Sequence, residues 1–159
     1  MPSEQITKSG VLIVDPQTNM AALVATMLRG FGRRDIREAN DATQALAELR
    51  RRPFDLVIVD DALSDMDAVD LVKRLRATAN SNRSASVIMM AAAPDAARIE
   101  AARDAGVSEF LRKPFAANQL KARLDSIKAR PRAFIDLESY AGPDRRRRRE
   151  DVGDDRRCD

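Results

Sequence analysis

Asp55-Leu-Val-Ile-Val-Asp-Asp-Ala-Leu-Ser-Asp-Met-Asp-Ala68 decides the fold: a short apolar run ends on Asp60, passes into a polar loop and opens a helix-period segment. The same order stands upstream, where Val11-Leu-Ile-Val14 runs into Asp15. Working outward, strand candidates fall at 11–14, 35–38, 56–59, 87–90 and 109–111, and helical patterns lie between and after them at 18–29, 42–51, 68–77, 95–105 and 116–129. Regular alternation of this kind predicts an α/β fold, a five-stranded doubly wound parallel sheet with helices on both faces. Asp41 is placed to cap the second helix and Gly106 to end the fourth, while Pro94 and Pro114 fall in loops. A polar stretch, 78–86, reads as a surface loop, and with so few aromatic residues the core is expected to be aliphatic.

The length of 159 residues suits one domain with an appendage. Residues 1–9 read as a flexible amino terminus, 10–130 as the folded domain and 131–159 as an arginine-rich tail. No apolar run is long enough to span a bilayer and no secretory pattern is seen, so a cytoplasmic protein without a membrane partner is expected. Cys158 is the only cysteine, which excludes an intrachain disulfide. The net charge of +3 invites a nucleic-acid reading, but the tail from Pro131 holds eight arginines against eight acidic residues, leaving 20 basic and 17 acidic in the first 130. A neutral tail gains little from counterion release, and no helix-turn-helix follows Arg130, so nucleic acid is not the expected partner.

In a doubly wound sheet the ligand site lies at the carboxyl ends of the strands. Those ends carry Asp15, Asp60, Ala91 and Lys113, which places two carboxylates and a lysine together. The runs VLIVD ending at Asp15, DLVIVDDALSDMDA from Asp55 and LRKPF from Leu111 resemble response-regulator receiver domains of the CheY type over about residues 10 to 130. The resemblance implies a flavodoxin-like receiver fold with Asp60 as phosphoacceptor and Asp15, Asp60 and the Ala62 carbonyl as Mg²⁺ ligands. It further implies Lys113 as the cation on the phosphoryl oxygens and Phe110 as the switch aromatic. Pro16 stands where receivers carry a second acidic residue, which weakens the metal site. Ala91 stands where they carry Thr or Ser and cannot hydrogen-bond a phosphoryl group; Ser64 and Ala68 replace a proline and a glycine in the following loop. A plainer reading stays open, in which Asp15 and Asp60 are remnants offset by Lys113 and the Lys113-Pro114 pair serves a turn through a cis peptide. Asp61 is expected to point away from the acceptor as a solvated charge.

The tail carries the other signal. Gly142-Pro-Asp-Arg-Arg146 recurs eleven positions on as Gly153-Asp-Asp-Arg-Arg157. An aspartate can accept from the N1 and N2 edge of guanine, and arginine can donate to O6 and N7 or pair with phosphate. Tyr140 can stack on a base. Asp144 and Asp155 are therefore candidates for guanine edges, with Arg145, Arg146, Arg147, Arg148, Arg156 and Arg157 for Hoogsteen edges, stacks and phosphates. Few apolar residues follow Pro131, so the tail is expected to be disordered when free and to order on its ligand.

A degenerate receiver followed by an arginine-rich extension resembles the Cle proteins, CheY-like effectors of cyclic di-GMP. That resemblance implies cyclic di-GMP as ligand, held as a stacked dimer, and the flagellar switch protein FliM as partner, with recruitment to the flagellar pole and effects on motility and surface attachment. Neither enzymatic turnover nor a required cofactor is expected. The alternative is a stand-alone phosphorylatable receiver served by a histidine kinase.

Overall fold

A computed structural model describes residues 9–129, 134–137 and 140–143 of the chain. The elements run β1 (Gly10–Val14), α1 (Thr18–Gly30), β2 (Ile36–Ala39), α2 (Ala42–Arg51), β3 (Phe54–Asp60), α3 (Ala68–Arg76), a 3₁₀ turn η1 (Ser81–Ser84), β4 (Ser86–Ala91), α4 (Ala96–Ala105), β5 (Glu109–Arg112) and α5 (Ala117–Ala129). Five parallel strands form one sheet in the order β2-β1-β3-β4-β5. Every expected element is present, with ends displaced by at most two residues.

Strand residues alternate between two cores, as a period of two demands. Leu12, Val14, Val57, Val59, Val87 and Met89 pack against α2, α3 and α4. Val11, Ile13, Leu56, Ile58, Ile88 and Met90 pack against α1 and α5. The three inner strands β1, β3 and β4 are apolar on both faces because helices cover both.

Local chemistry sets the helix ends. The Asp41 carboxylate accepts from the Gln44 N–H at 2.8 Å and caps α2, and Asp95 does the same for α4 through Arg98 N–H at 2.8 Å. Gly106 ends α4 at φ +112°, a left-handed conformation that glycine adopts without Cβ strain. The expected loop 78–86 is ordered by buried polar groups. Asn82 accepts from Phe54 N–H at 2.7 Å and donates to the carbonyls of Leu49 and Arg52 at 2.8 and 3.0 Å.

After α5, β6 (Phe134–Leu137) and β7 (Tyr140–Pro143) pair as an antiparallel ribbon, in register Phe134 to Pro143 and Leu137 to Tyr140. β7 lies against η1 and α4. The sequence reading foresaw no regular structure after Pro131, because so short a ribbon has little apolar patterning of its own. Among the described residues, no helix is long and apolar enough to cross a membrane.

Candidate functional site

Parallel strands deliver their last residues to one edge of the sheet, and register fixes which ones meet. Val14 stands beside Val59, so Asp15 and Asp60 leave adjacent strands side by side. Lys113 reaches them from beyond β5, its backbone N–H donating to the Ala91 carbonyl at 2.8 Å. The Lys113-Pro114 peptide is cis.

The three side chains form one charge cluster. Lys113 Nζ lies 2.5 Å from Asp60 Oδ1 and 3.4 Å from Asp15 Oδ2. Asp15 is fully buried and Asp60 nearly so. The remaining oxygens are satisfied by main chain: Gln17 N–H donates to Asp15 Oδ1 at 2.8 Å, and Ala62 N–H donates to Asp60 Oδ2 at 2.9 Å. Burial pushes the Asp15 carboxyl above the ordinary aspartate range and the neighbouring Asp60 charge adds to this, against the opposing pull of Gln17 N–H and Lys113. Burial works against the Lys113 ammonium too, yet Asp60 and then Asp15 outweigh it and hold its pKa above the ordinary lysine value.

The two carboxylates present a negative, partly desolvated pair with one fixed cation, able to hold a small charged group but short of a full metal cage. Among the described residues no group of three or more His, Cys, Asp or Glu side chains could hold a metal ion. Pro16 follows Asp15 directly and adds no carboxylate there. Ala91, buried at the end of β4, offers no hydroxyl. Phe110 pairs in register with Met89 and packs half-buried against the core under α2, α3 and α4.

Asp61 departs from expectation. It is not a free solvated charge: Arg98 in the first turn of α4 donates to Asp61 from Nε at 2.8 Å and again from Nη2. The same guanidinium donates to Asp67 Oδ1 at 2.8 Å and Oδ2 at 3.3 Å. Asp67 in turn caps α3 by accepting from Val69 N–H at 2.8 Å. The Arg98 hydrogen bonds hold the Asp67 carboxyl below its usual range. On the other side of the loop, Asp65 accepts from the N–H groups of Ala42 and Thr43, both at 3.0 Å. The loop after Asp60 is thus tied to α2 and to α4 at once. Sequence reasoning missed Asp65 and Arg98 because their partners lie 22 to 37 residues away in the chain.

Of the tail candidates, Tyr140 belongs to β7. Asp144, Arg145, Arg146, Arg147, Arg148, Asp155, Arg156 and Arg157 lie outside the described residues.

The response regulator receiver domain matches residues 11–125. The chain belongs to this family. The receiver is 37% identical over 117 residues to the chemotaxis protein CheY-3 of Vibrio cholerae serotype O1, covering 74% of this chain and 89% of that one. It is 33% identical over 117 residues to the chemotaxis protein CheY of Pseudomonas aeruginosa, covering 74% and 94%. Among solved structures, Vibrio cholerae CheY4 at low pH superposes with a TM-score of 0.70 at 24% identity, over 75% of this chain and 98% of that one, a likeness of fold. The receiver match ends at 125 and leaves the tail to be read from its own chemistry.

Proposed function

We propose that this receiver is an effector of cyclic di-GMP, with the arginine-rich tail as the sensing element and the receiver as the output surface. The repeated Gly-x-Asp-Arg-Arg carries the reading, because it offers a carboxylate for a guanine edge and guanidinium groups for O6, N7 and phosphate twice over. The magnitudes favour use of both copies. One bidentate arginine-guanine pair contributes about 1–3 kcal/mol, whereas ordering a disordered segment costs about 2–5 kcal/mol. Two copies engaging a stacked dimer of the ligand contribute about 2–6 kcal/mol from such pairs, enough to offset the ordering cost that one copy does not cover. Resemblance to the Cle proteins, CleD among them, extends this to FliM at the flagellar switch and the flagellar pole, and to motility and attachment. Cytoplasmic residence goes with these partners.

The receiver site supports an output role. All four carboxylate oxygens of Asp15 and Asp60 already face Lys113 or a backbone N–H, and Ala91 gives a phosphoryl group nothing to draw inward. Titration calorimetry of cyclic di-GMP into the full chain tests the reading. Arg156→Ala with Arg157→Ala is expected to weaken binding at least tenfold, and unchanged affinity would refute the two-copy arrangement. Binding retained by a chain ending at Arg130 would remove the tail from the sensing role.

A second reading is favoured by the 2.5 Å Lys113–Asp60 contact. Here Asp60 is a phosphoacceptor: its carboxylate oxygen attacks the phosphorus of a donor such as acetyl phosphate, the bond to the acetate oxygen breaks, and Lys113 holds the transferred oxygens. Mg²⁺ would be held by Asp15, Asp60 and the Ala62 carbonyl and would neutralise charge on those oxygens. This reading predicts alkali- and hydroxylamine-labile labelling of the full chain by acetyl phosphate and Mg²⁺ that Asp60→Asn abolishes. The proposed effector role instead predicts weak or no labelling of the unsubstituted chain.

A further inference from the structure

Helix α4 is thinly embedded at its start. Its buried residues, Ala102 and Ala105, both lie in the last turn, and nothing from Ala96 to Ala101 is buried. The lead-in is held no better, since Ala92 and Ala93 are exposed and Pro94 has no N–H to donate. A segment with so little apolar burial is where local opening costs least. Polar ties therefore decide whether the first half of α4 stays closed.

Those ties come from one side chain. Arg98 donates to Asp61 Oδ1 from Nε at 2.8 Å and again from Nη2, and to Asp67 from Nη2 at 2.8 Å and Nη1 at 3.3 Å. Among the described residues, no other side chain from 92 to 101 hydrogen-bonds to a different element. Both carboxylates are themselves fixed. Asp61 N–H donates to the Met90 carbonyl at 2.8 Å, which anchors it to β4, and Asp67 caps α3. Leu63 and Met66, on the loop between them, pack half-buried on the same core as Ala101 of α4.

We propose that Arg98 is a latch that holds the first half of α4 closed on the loop after Asp60. Released, residues 92–101 move away from that loop while the sheet stays folded, and Leu63, Met66 and Ala101 gain exposure. The latch needs a carboxylate directly after Asp60, a second at the α3 cap and an arginine in the first turn of α4, and this chain has all three. Since α4 also lies against β7, the opening reaches the ribbon as well. This opening neither needs nor excludes a cyclic dinucleotide; it sets how the receiver surface changes shape.

Amide hydrogen exchange of the full chain, read by mass spectrometry, provides the test. R98A should speed exchange about tenfold or more in segments 62–67 and 96–101 and leave β1 and β3 within about twofold. It should also raise the fluorescence of 8-anilinonaphthalene-1-sulfonate as apolar side chains are bared. R98K should fall between, because an ammonium keeps the charge but lacks the fork that reaches two carboxylates; it carries the same comparison should R98A not fold. R103A, at an exposed arginine in the last turn of α4, should match the unsubstituted chain within about twofold. D61N combined with R98A should exchange no faster than R98A alone, since both break one contact. Unchanged exchange in 62–67 and 96–101 for R98A would overturn the latch. So would acceleration that is equal in β1 and β3, the mark of general destabilisation, or D61N and R98A effects that multiply, the mark of independent roles.

Discussion

Asp15 shows how a single residue can be legible in sequence and still hold a surprise. Its place at the end of an apolar run marked it as a strand-end carboxylate, and the structure puts it there, fully buried beside Asp60. Its environment could not be read that way, since Lys113, 98 positions on, reaches it only at 3.4 Å and prefers Asp60. Burial therefore dominates and raises its pKa in the fold. A carboxyl whose folded pKa exceeds its unfolded value contributes most below the unfolded pKa and loses that contribution as pH rises through the raised folded pKa. Asp15→Asn is accordingly expected to gain stability at neutral pH relative to acid pH, because it removes the ionised carboxylate whose burial opposes folding. The gain should shrink as pH falls through the raised Asp15 pKa, which urea unfolding at several pH values would register. Asp61 teaches the converse, since alternation along β3 said only that it points away from Asp60, not that Arg98 waits on that side.

Elements were the most legible scale, because helix and strand periods and their caps are written locally. Asp41 and Gly106 act at the ends where the sequence placed them, while Asp95, read as the first residue of its helix, caps it instead. Gly106 holds φ +112° while its N–H donates to Ala102 and Arg103 carbonyls at 3.2 and 3.0 Å. Gly106→Ala should cost about 1–2 kcal/mol, the strain of a Cβ in left-handed backbone, seen as a lower urea midpoint with an unchanged slope. The β6–β7 ribbon escaped notice for a physical reason: two four-residue strands are too short for a hydrophobic period, and an isolated ribbon is marginal in water. Contact with η1 and α4 supplies what its own sequence does not.

Across the whole molecule, one buried arginine joins the pieces around the edge that receives the ribbon. Arg76, at the end of α3, donates to the Gly106 carbonyl from Nη2 at 2.6 Å and from Nε at 3.1 Å, and through Nη1 to those of Arg83 and Ala85 at 2.7 and 2.6 Å. α3, η1 with its cap Ala85, and the end of α4 thus share a single side chain. Arg76→Met should remove three carbonyls' partner at once and destabilise by about 3 kcal/mol or more, given about 1–3 kcal/mol for each buried group left unsatisfied; thermal and urea unfolding would both report it. By itself the sequence determined the α/β order, the two-faced strands, the caps, the strand-end aspartates and the repeated acid-arginine grammar, because each depends on period or spacing within a few residues. Only the tertiary structure decided that Lys113 lies nearer Asp60 than Asp15, that Arg98 and Asp65 tie down the loop after Asp60, and that the β6–β7 ribbon packs on η1 and α4. Those are pairings between residues far apart in the chain, and which of many charged partners meet is fixed by strand order and register, quantities that no local spacing encodes.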